Sequence, residues 1–413
     1  VAAVVVSSGT AVANLLPAVV EASLDHVPLL LLTADRPAEL RDTSANQTIQ
    51  QVGLLGHNLR WFKDMPCPDA ESGLAPLLSD AGYALARACN TPCGPVHLNC
   101  MMREPLAPTP EDWPRELLGA PRLAGWLQTR SPFTSYLRPY QAPPPLPDGQ
   151  LLPLLGTIRA ARRGAVVAGP LFSASQQLAV TSLAARLGWP LLPDICSGLR
   201  SQTARGVAAA PAPAPTLEAA EGSARDPAAP AALVPLFDLL LSEPGLARAA
   251  RPDVVLQVGG RLVSKRLLQF AASASTAHVL LEEHGERVDP MHSVTCRVQG
   301  EVSGVIDRVL AGLEGCPLPA NPLLALAAAS SQTEEALARW DGDGSAEAVA
   351  SEPWVARHLC ATLVGAPAAS AGGGEGGELL FASNSLPIRH LDNFCPTAPA
   401  ILANRGASGI DGI

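Results

Sequence analysis

The sequence predicts an α/β protein built on doubly wound parallel sheets, and three observations carry that prediction. Apolar, β-branched runs recur without polar alternation: "VAAVVVSS", "VPLLLLTAD", "PDVVLQVGG" and "AHVLLEE". Strands buried on both faces have this composition. Stretches with apolar residues at helical spacing separate the runs, and glycine or hydroxyl residues stand at the junctions. In such sheets ligands bind beyond the carboxyl ends of the strands, where loops meet helix N-termini.

In chain order, "VAAVVVSS" is a strand, "GTAVANLLPAVVEASLDH" a helix opening after Gly9-Thr10, and "VPLLLLTADRP" a strand ending at Asp35-Arg36 before Pro37. "GPVHLNC" adds a strand near 94–100, closing a first domain over 1–120. Residues 121–150 are proline-dense ("RPYQAPPPLPDG") and read as a linker without regular structure. A middle α/β domain spans 151–320: strand "GAVVAGP", helix "SASQQLAVTSLAARLGWP" with Gly188 near its end, strand "PLLPD", then the runs after 250. Its Ala/Pro-rich stretch 204–232 is an insertion without chemistry. Residues 321–413 read as a helical linker with a glycine-rich break at 367–378, then a strand at "LLFASNS", a turn at Pro387 and "APAILANRGASG". A third domain starts there, so both ends read as cut from something longer.

Composition excludes several classes. A net charge of −9 without a block of Lys or Arg argues against a nucleic-acid surface. Nine scattered cysteines without a CxxC pair read as small buried hydrophobes, not disulfides or zinc ligands. No apolar stretch reaches the length of a membrane span.

The residues just past the strands are the candidates for chemistry: Ser7-Ser8-Gly9-Thr10, Asp35-Arg36, Ser383-Asn384-Ser385 and Asn404-Arg405-Gly406. "SSGT" reads as an anion cradle or, ahead of it, as a plain cap with the Thr10 hydroxyl at the helix start. Asp35-Arg36 reads as a structural ion pair. Arg389 and Arg405 could converge on a dianion, against the plainer reading of surface arginines. Lys265-Arg266 open a helix, where cations oppose the macrodipole, and a use for that charge would be an anionic ligand. The Asp341-Gly342-Asp343-Gly344 stretch imitates a Mg²⁺–thiamine diphosphate motif but lacks the preceding strand and the later Asn, so it reads as a loop.

Six blocks in order, "SSGTAVANLLPAVVEAS", "LLLLTADRPAELRDTSANQTIQQ", "GPVHLNCMMREPL", "SKRLLQF", "SNSLPIRHLD" and "ANRGASGIDG", closely resemble the MenD-type 2-succinyl-5-enolpyruvyl-6-hydroxy-3-cyclohexene-1-carboxylate (SEPHCHC) synthases. The wording is nearest to the plant and algal version, which implies a chloroplast, or otherwise the cytoplasm. The resemblance implies a three-domain thiamine-diphosphate-enzyme architecture with Mg²⁺, working as a homodimer or homotetramer. It also implies a decarboxylating conjugate addition of 2-oxoglutarate to isochorismate in menaquinone and phylloquinone biosynthesis. Asn46 and Gln47 match the family's active-site pair. Arg36, Lys265 and Arg266 match residues at the entrance and the isochorismate carboxylates. Ser385, Arg389 and Arg405 match residues contacting the cofactor and the 2-oxoglutarate carboxylates. Ile410 matches the apolar residue that props the bent thiamine.

The family's activating glutamate and its metal motif lie outside these blocks. The 413-residue chain alone is therefore expected to be inactive, to hold no metal through its own residues and to be poorly soluble. The competing readings are another thiamine-diphosphate carboligase, such as an acetolactate-synthase relative, and a non-catalytic scaffold.

Overall fold

The computed structural model of the protein describes residues 1–69, 73–106, 121–129, 131–136, 147–201, 230–342, 351–365 and 378–407. It divides into two compact units, Val1–Tyr140 with Arg405–Ile413, and Gln141–Asn404.

The first unit runs β1 (Ala2–Val6), α1 (Thr10–Ala13), α2 (Leu16–Leu24), β2 (Leu29–Asp35), β3 (Trp61–Met65), α3 (Leu74–Cys89), β4 (Pro95–Met101) and α4 (Pro121–Thr129). The four strands form a parallel sheet in the order β1-β2-β4-β3, with Val6 opposite Thr33 and Asp35 opposite Met101. All four carboxyl ends therefore lie along one edge. Met65, Ala84, Ala88, Val96 and Leu98 form one core beneath α3; Val19, Leu31 and Leu55 form another beneath α2.

The second unit continues with α5 (Asp148–Ala160), β5 (Gly164–Ala168), α6 (Ala174–Leu187), β6 (Pro190–Pro193), β7 (Ala232–Leu233), α7 (Phe237–Ser242), α8 (Pro244–Ala249), β8 (Val254–Val258), α9 (Lys265–Ala272), β9 (Ala277–Glu282), β10 (Cys296–Gln299) and α10 (Val302–Gly312). The six strands are parallel in the order β10-β9-β8-β5-β6-β7. Alternate residues of each strand face opposite cores. Val166, Ala168, Val254 and Leu256 meet α5, α6 and α10 on one side, while Ala165, Val167 and Val255 meet α7 and α9 on the other. Burial on both sides is why these strands are continuously apolar. Helix α6 is capped by Ser173 Oγ, which accepts from Gln176 N at 3.2 Å, and ends at Gly188 in the left-handed region.

The unit closes with α11 (Ala325–Gly342), α12 (Glu352–Gly365), β11 (Leu379–Ala382), α13 (Leu386–Phe394) and β12 (Ala400–Ala403), β11 and β12 pairing in parallel. Ile388, Leu391, Cys360, Cys395 and Ile401 pack these elements together with Ile195 and Val263.

Several expectations need correction. Gly9, not Thr10, occupies the cap position of α1 and, having no side chain, makes no side-chain cap bond; its amide donates to Gln51. Pro387 does not make a turn; it sits in the first turn of α13, where its missing N–H has no helical partner to lose. Pro121–Thr129 is helical although it lies in the proline-rich stretch, its proline standing at the first position, where a helix tolerates it. Ala232 is paired in β7, so order begins inside the expected insertion; residues 204–229 lie outside the described ones. Strands β3 and β10 and helices α3 and α10 were not expected, since β3 and β10 carry charged or polar residues that break the apolar run.

All nine cysteines are free thiols, with Cys67, Cys360 and Cys395 buried. Among the described residues no helix is long and apolar enough to cross a membrane.

Candidate functional site

In the first unit the loops after β1 and β2 are tied to each other. Gln47 Nε2 donates to Ser7 Oγ at 2.7 Å and to Ser8 O at 3.1 Å. Gln51, 1% exposed, accepts the Gly9 amide at 2.9 Å and donates to Ala34 O and to Asn99 Oδ1. The fully buried Asn99 then donates to Asp35 Oδ2 at 2.8 Å and Asp64 Oδ1 at 2.9 Å. Arg41 closes the network with bonds to both carboxylates. Its guanidinium holds the Asp64 carboxyl below its ordinary range. The ion pair of Asp35 is therefore with Arg41, not with its neighbour Arg36. The Arg36 guanidinium instead reaches Asn46 O at 3.2 Å, while its amide donates to Asp35 Oδ1.

The Thr33 hydroxyl donates to Asn99 Oδ1 at 3.0 Å and so must accept from His97 Nε2, 2.7 Å away. Burial pushes the His97 pKa down to about 4, which keeps the ring neutral. The donors around Ser7–Gly9 are thus amides and hydroxyls without net charge. Among the described residues no group of three or more His, Cys, Asp and Glu is placed to hold a metal ion.

In the second unit a cavity of about 410 Å³ is lined by Lys265, Arg266, Gln269, Arg389 and Asn393, with Asp238, Val263, Ser264 and Asp392. Ser264 caps α9, its Oγ accepting from Leu267 N at 3.0 Å, so Lys265 and Arg266 start the helix as expected. Arg266 Nη1 is 2.5 Å from Asp238 Oδ1. The Lys265 ammonium and the Arg389 guanidinium make no hydrogen bond or ion pair among the described residues. Two uncommitted cations lining one cavity, one from each of two helices, favour an anionic ligand. Asn393, oriented so that its nitrogen faces acceptors, donates to Asp238 Oδ1 and Arg389 O at 3.2 Å.

Two expected site residues share an unusual backbone. Gln47 has φ +59° and Ser385 has φ +66°, the left-handed region that non-glycine residues seldom enter. Ser385 precedes α13, one turn before Arg389. The structure therefore joins Lys265, Arg266 and Arg389 in one cavity, and Arg36, Asn46 and Gln47 in one loop pair. Arg405 belongs to the first unit, where the following amides of Gly406 and Ala407 donate to the Glu21 carboxylate at 2.6 and 2.8 Å. Ile410 lies outside the described residues.

Sequence reasoning missed Gln51, Asn99 and Arg41, and also Asp238, Gln269 and Asn393. Helical spacing could have found two of them. Gln269 and Asn393 each stand four residues after a predicted cation and so share its helix face.

Parallel sheets whose loops gather at their carboxyl edges, together with a cationic cavity, define a ligand-binding α/β protein. Two family models agree: the thiamine pyrophosphate enzyme N-terminal TPP binding domain matches residues 1–54, and the middle domain of thiamine pyrophosphate enzymes matches 226–349. More particularly, the chain is similar to SEPHCHC synthases. All of it aligns with those of Salinibacter ruber and Rubrobacter xylanophilus, at 38% identity each, covering 63% and 64% of their lengths. It also aligns throughout with Protein PHYLLO, chloroplastic, of Arabidopsis thaliana, at 33% identity and 23% of that protein's length. The chain thus spans less than two thirds of the bacterial relatives it matches.

Proposed function

We propose that the protein is a transferase catalysing the decarboxylating conjugate addition of 2-oxoglutarate to isochorismate to give SEPHCHC, a step toward menaquinone or phylloquinone. The observation that carries this reading is the cavity in which Lys265 and Arg389 have no counter-ion among the described residues. Both proposed substrates are dicarboxylates, and each desolvated Arg–carboxylate contact contributes about 1.5–3 kcal/mol. Lys265 and Arg266 would take the isochorismate carboxylates; Arg36 would serve the entrance and the same carboxylates, and Asn46 with Gln47 the isochorismate-derived part. Arg389 and Arg405 would take those of 2-oxoglutarate, and Ser385 and Ile410 would contact the cofactor. Gln47, locked through its nitrogen to Ser7 and Ser8, keeps its Oε1 available as an acceptor.

When bound, thiamine diphosphate supplies the electron sink that decarboxylation requires. The loop pair at Ser7–Gly9 and Gln47 would hold its neutral ring and limit water there. Magnesium would be held with the diphosphate by residues other than the described ones. A homodimer or homotetramer, the division into first, middle and third domains, and a chloroplast address like that of the Arabidopsis relative belong to the same reading.

The test uses the full-length protein with thiamine diphosphate, Mg²⁺ and isochorismate. Adding 2-oxoglutarate is expected to consume isochorismate with one CO₂ released per turnover. Pyruvate should not substitute. Condensation of pyruvate with itself would favour the acetolactate-synthase reading, and no turnover with any oxoacid would favour a scaffold.

A further inference from the structure

The cavity has two cationic walls, α9 with Lys265 and Arg266, and α13 with Arg389, and both are held by one short segment, Pro193–Arg200. Asp194, fully buried, accepts the Val263 amide on Oδ2 at 2.7 Å, which fixes the entry to α9. Seven residues on from Pro193, Arg200 binds the other wall. It is 1% exposed, and its Nη1 donates to Asp392 O at 2.7 Å and Cys395 O at 3.0 Å, the carbonyls that end α13. Its Nη2 meets Asp392 Oδ1 at 2.6 Å, and Nε and Nη2 return to Pro193 O. Asp392 Oδ1 also accepts the Ile195 amide at 3.0 Å. The guanidinium lies 5.4 Å from the Phe237 ring centre, next to Asp238, which binds Arg266.

We propose that Arg200 and Asp392 are a positioning pair that sets Arg389 and Asn393 at the right reach from Lys265 and Arg266, so that the cavity accepts two carboxylates at once. Asp392 is three residues after Arg389 and one before Asn393, so holding its side chain fixes the rotation of α13 about its axis. A pair retained for stability alone would be expected to satisfy every buried atom, and an apolar pair often serves as well. Here Asp392 is fully buried on the cavity wall, yet its Oδ2 has no hydrogen-bond partner among the described residues. The residue acts through Arg389 and Asn393 rather than on the ligand.

This inference rests on the reading of the cavity as a dicarboxylate site, and the controls separate the two. Succinate and butyrate are titrated calorimetrically into the full-length wild type, Arg389→Ala, Asp392→Asn and the double variant Arg200→Met/Asp392→Leu, with melting temperatures recorded alongside. The expected result is that the wild type prefers succinate and Arg389→Ala loses that preference. Asp392→Asn should weaken succinate at least 10-fold while leaving butyrate nearly unchanged. The apolar double variant should recover most of the melting temperature without recovering succinate binding. Recovery of both together would overturn the positioning role, because packing alone would then suffice. A wild type with no preference for succinate would overturn the cavity reading and this inference with it, and the wild-type control alone would reveal that cause.

Discussion

Gln47 Nε2 lies 2.7 Å from Ser7 Oγ, so the loop after β1 and the loop after β2 form one structure at the sheet's carboxyl edge. Gly9 sits beneath this bond with φ +84°, and a Cβ there would stand 3.2 Å from Gln47 Cγ. Gly9→Ala should therefore cost about 1–3 kcal/mol, from the left-handed backbone and the displaced glutamine together. Denaturant unfolding of the first unit checks this. A midpoint equal to wild type would show the loop to be slack.

His97 makes stability depend on pH with a definite sign. Its folded pKa of about 4 lies below the ordinary 6.5, so the unfolded chain binds the proton more readily. The stabilisation is complete above pH 6.5 and is lost as pH falls toward 4, up to about 3 kcal/mol in total. Removing the titrating ring with His97→Gln should flatten the stability curve between these limits. An identical slope in the variant would mean another group carries the dependence.

Ser385 is strained at φ +66° and ψ −125°. Ser385→Gly should relieve that strain and raise the second unit's stability by about 1 kcal/mol, while removing the hydroxyl offered at the start of α13. The expected pattern is a higher melting temperature with weaker cofactor affinity in the full-length protein. A lower melting temperature would show that the surroundings do not impose strain there.

In the full-length protein, Arg389→Ala and Arg405→Ala should weaken 2-oxoglutarate use about 10- to 100-fold, and more than isochorismate use. Lys265→Ala should show the opposite bias. Separate KM values for the two substrates decide it, and equal losses would remove the assignment of roles.

What was legible in the sequence depended on range. The buried strands were readable because burial on both faces writes a continuous apolar run, and Gly188 and Ser173 mark the ends of α6 through local backbone chemistry. Lys265-Arg266 stood out because cations at a helix start are locally unfavourable. By contrast, β3 ("WFKDM") and β10 ("CRVQ") carry charged or polar residues and are edge strands, so their pairing is a tertiary outcome. Pro387 misled because a proline can open a turn or the first turn of a helix, and only the following packing of Ile388 and Leu391 chooses between them.

The sequence by itself determined the parallel α/β class, the doubly buried strands with the helices between several of them, and the identity of the exposed cations, since these follow from periodicity and composition over a few neighbouring residues. Only the tertiary structure decided that Asp35 pairs with Arg41 and not Arg36, that Gln51 takes the Gly9 amide, and that Arg200 meets Asp392 from 192 positions away. Those choices turn on angstrom-scale reach between loops distant in sequence, and the desolvation that makes such bonds strong exists only once the sheets have buried them.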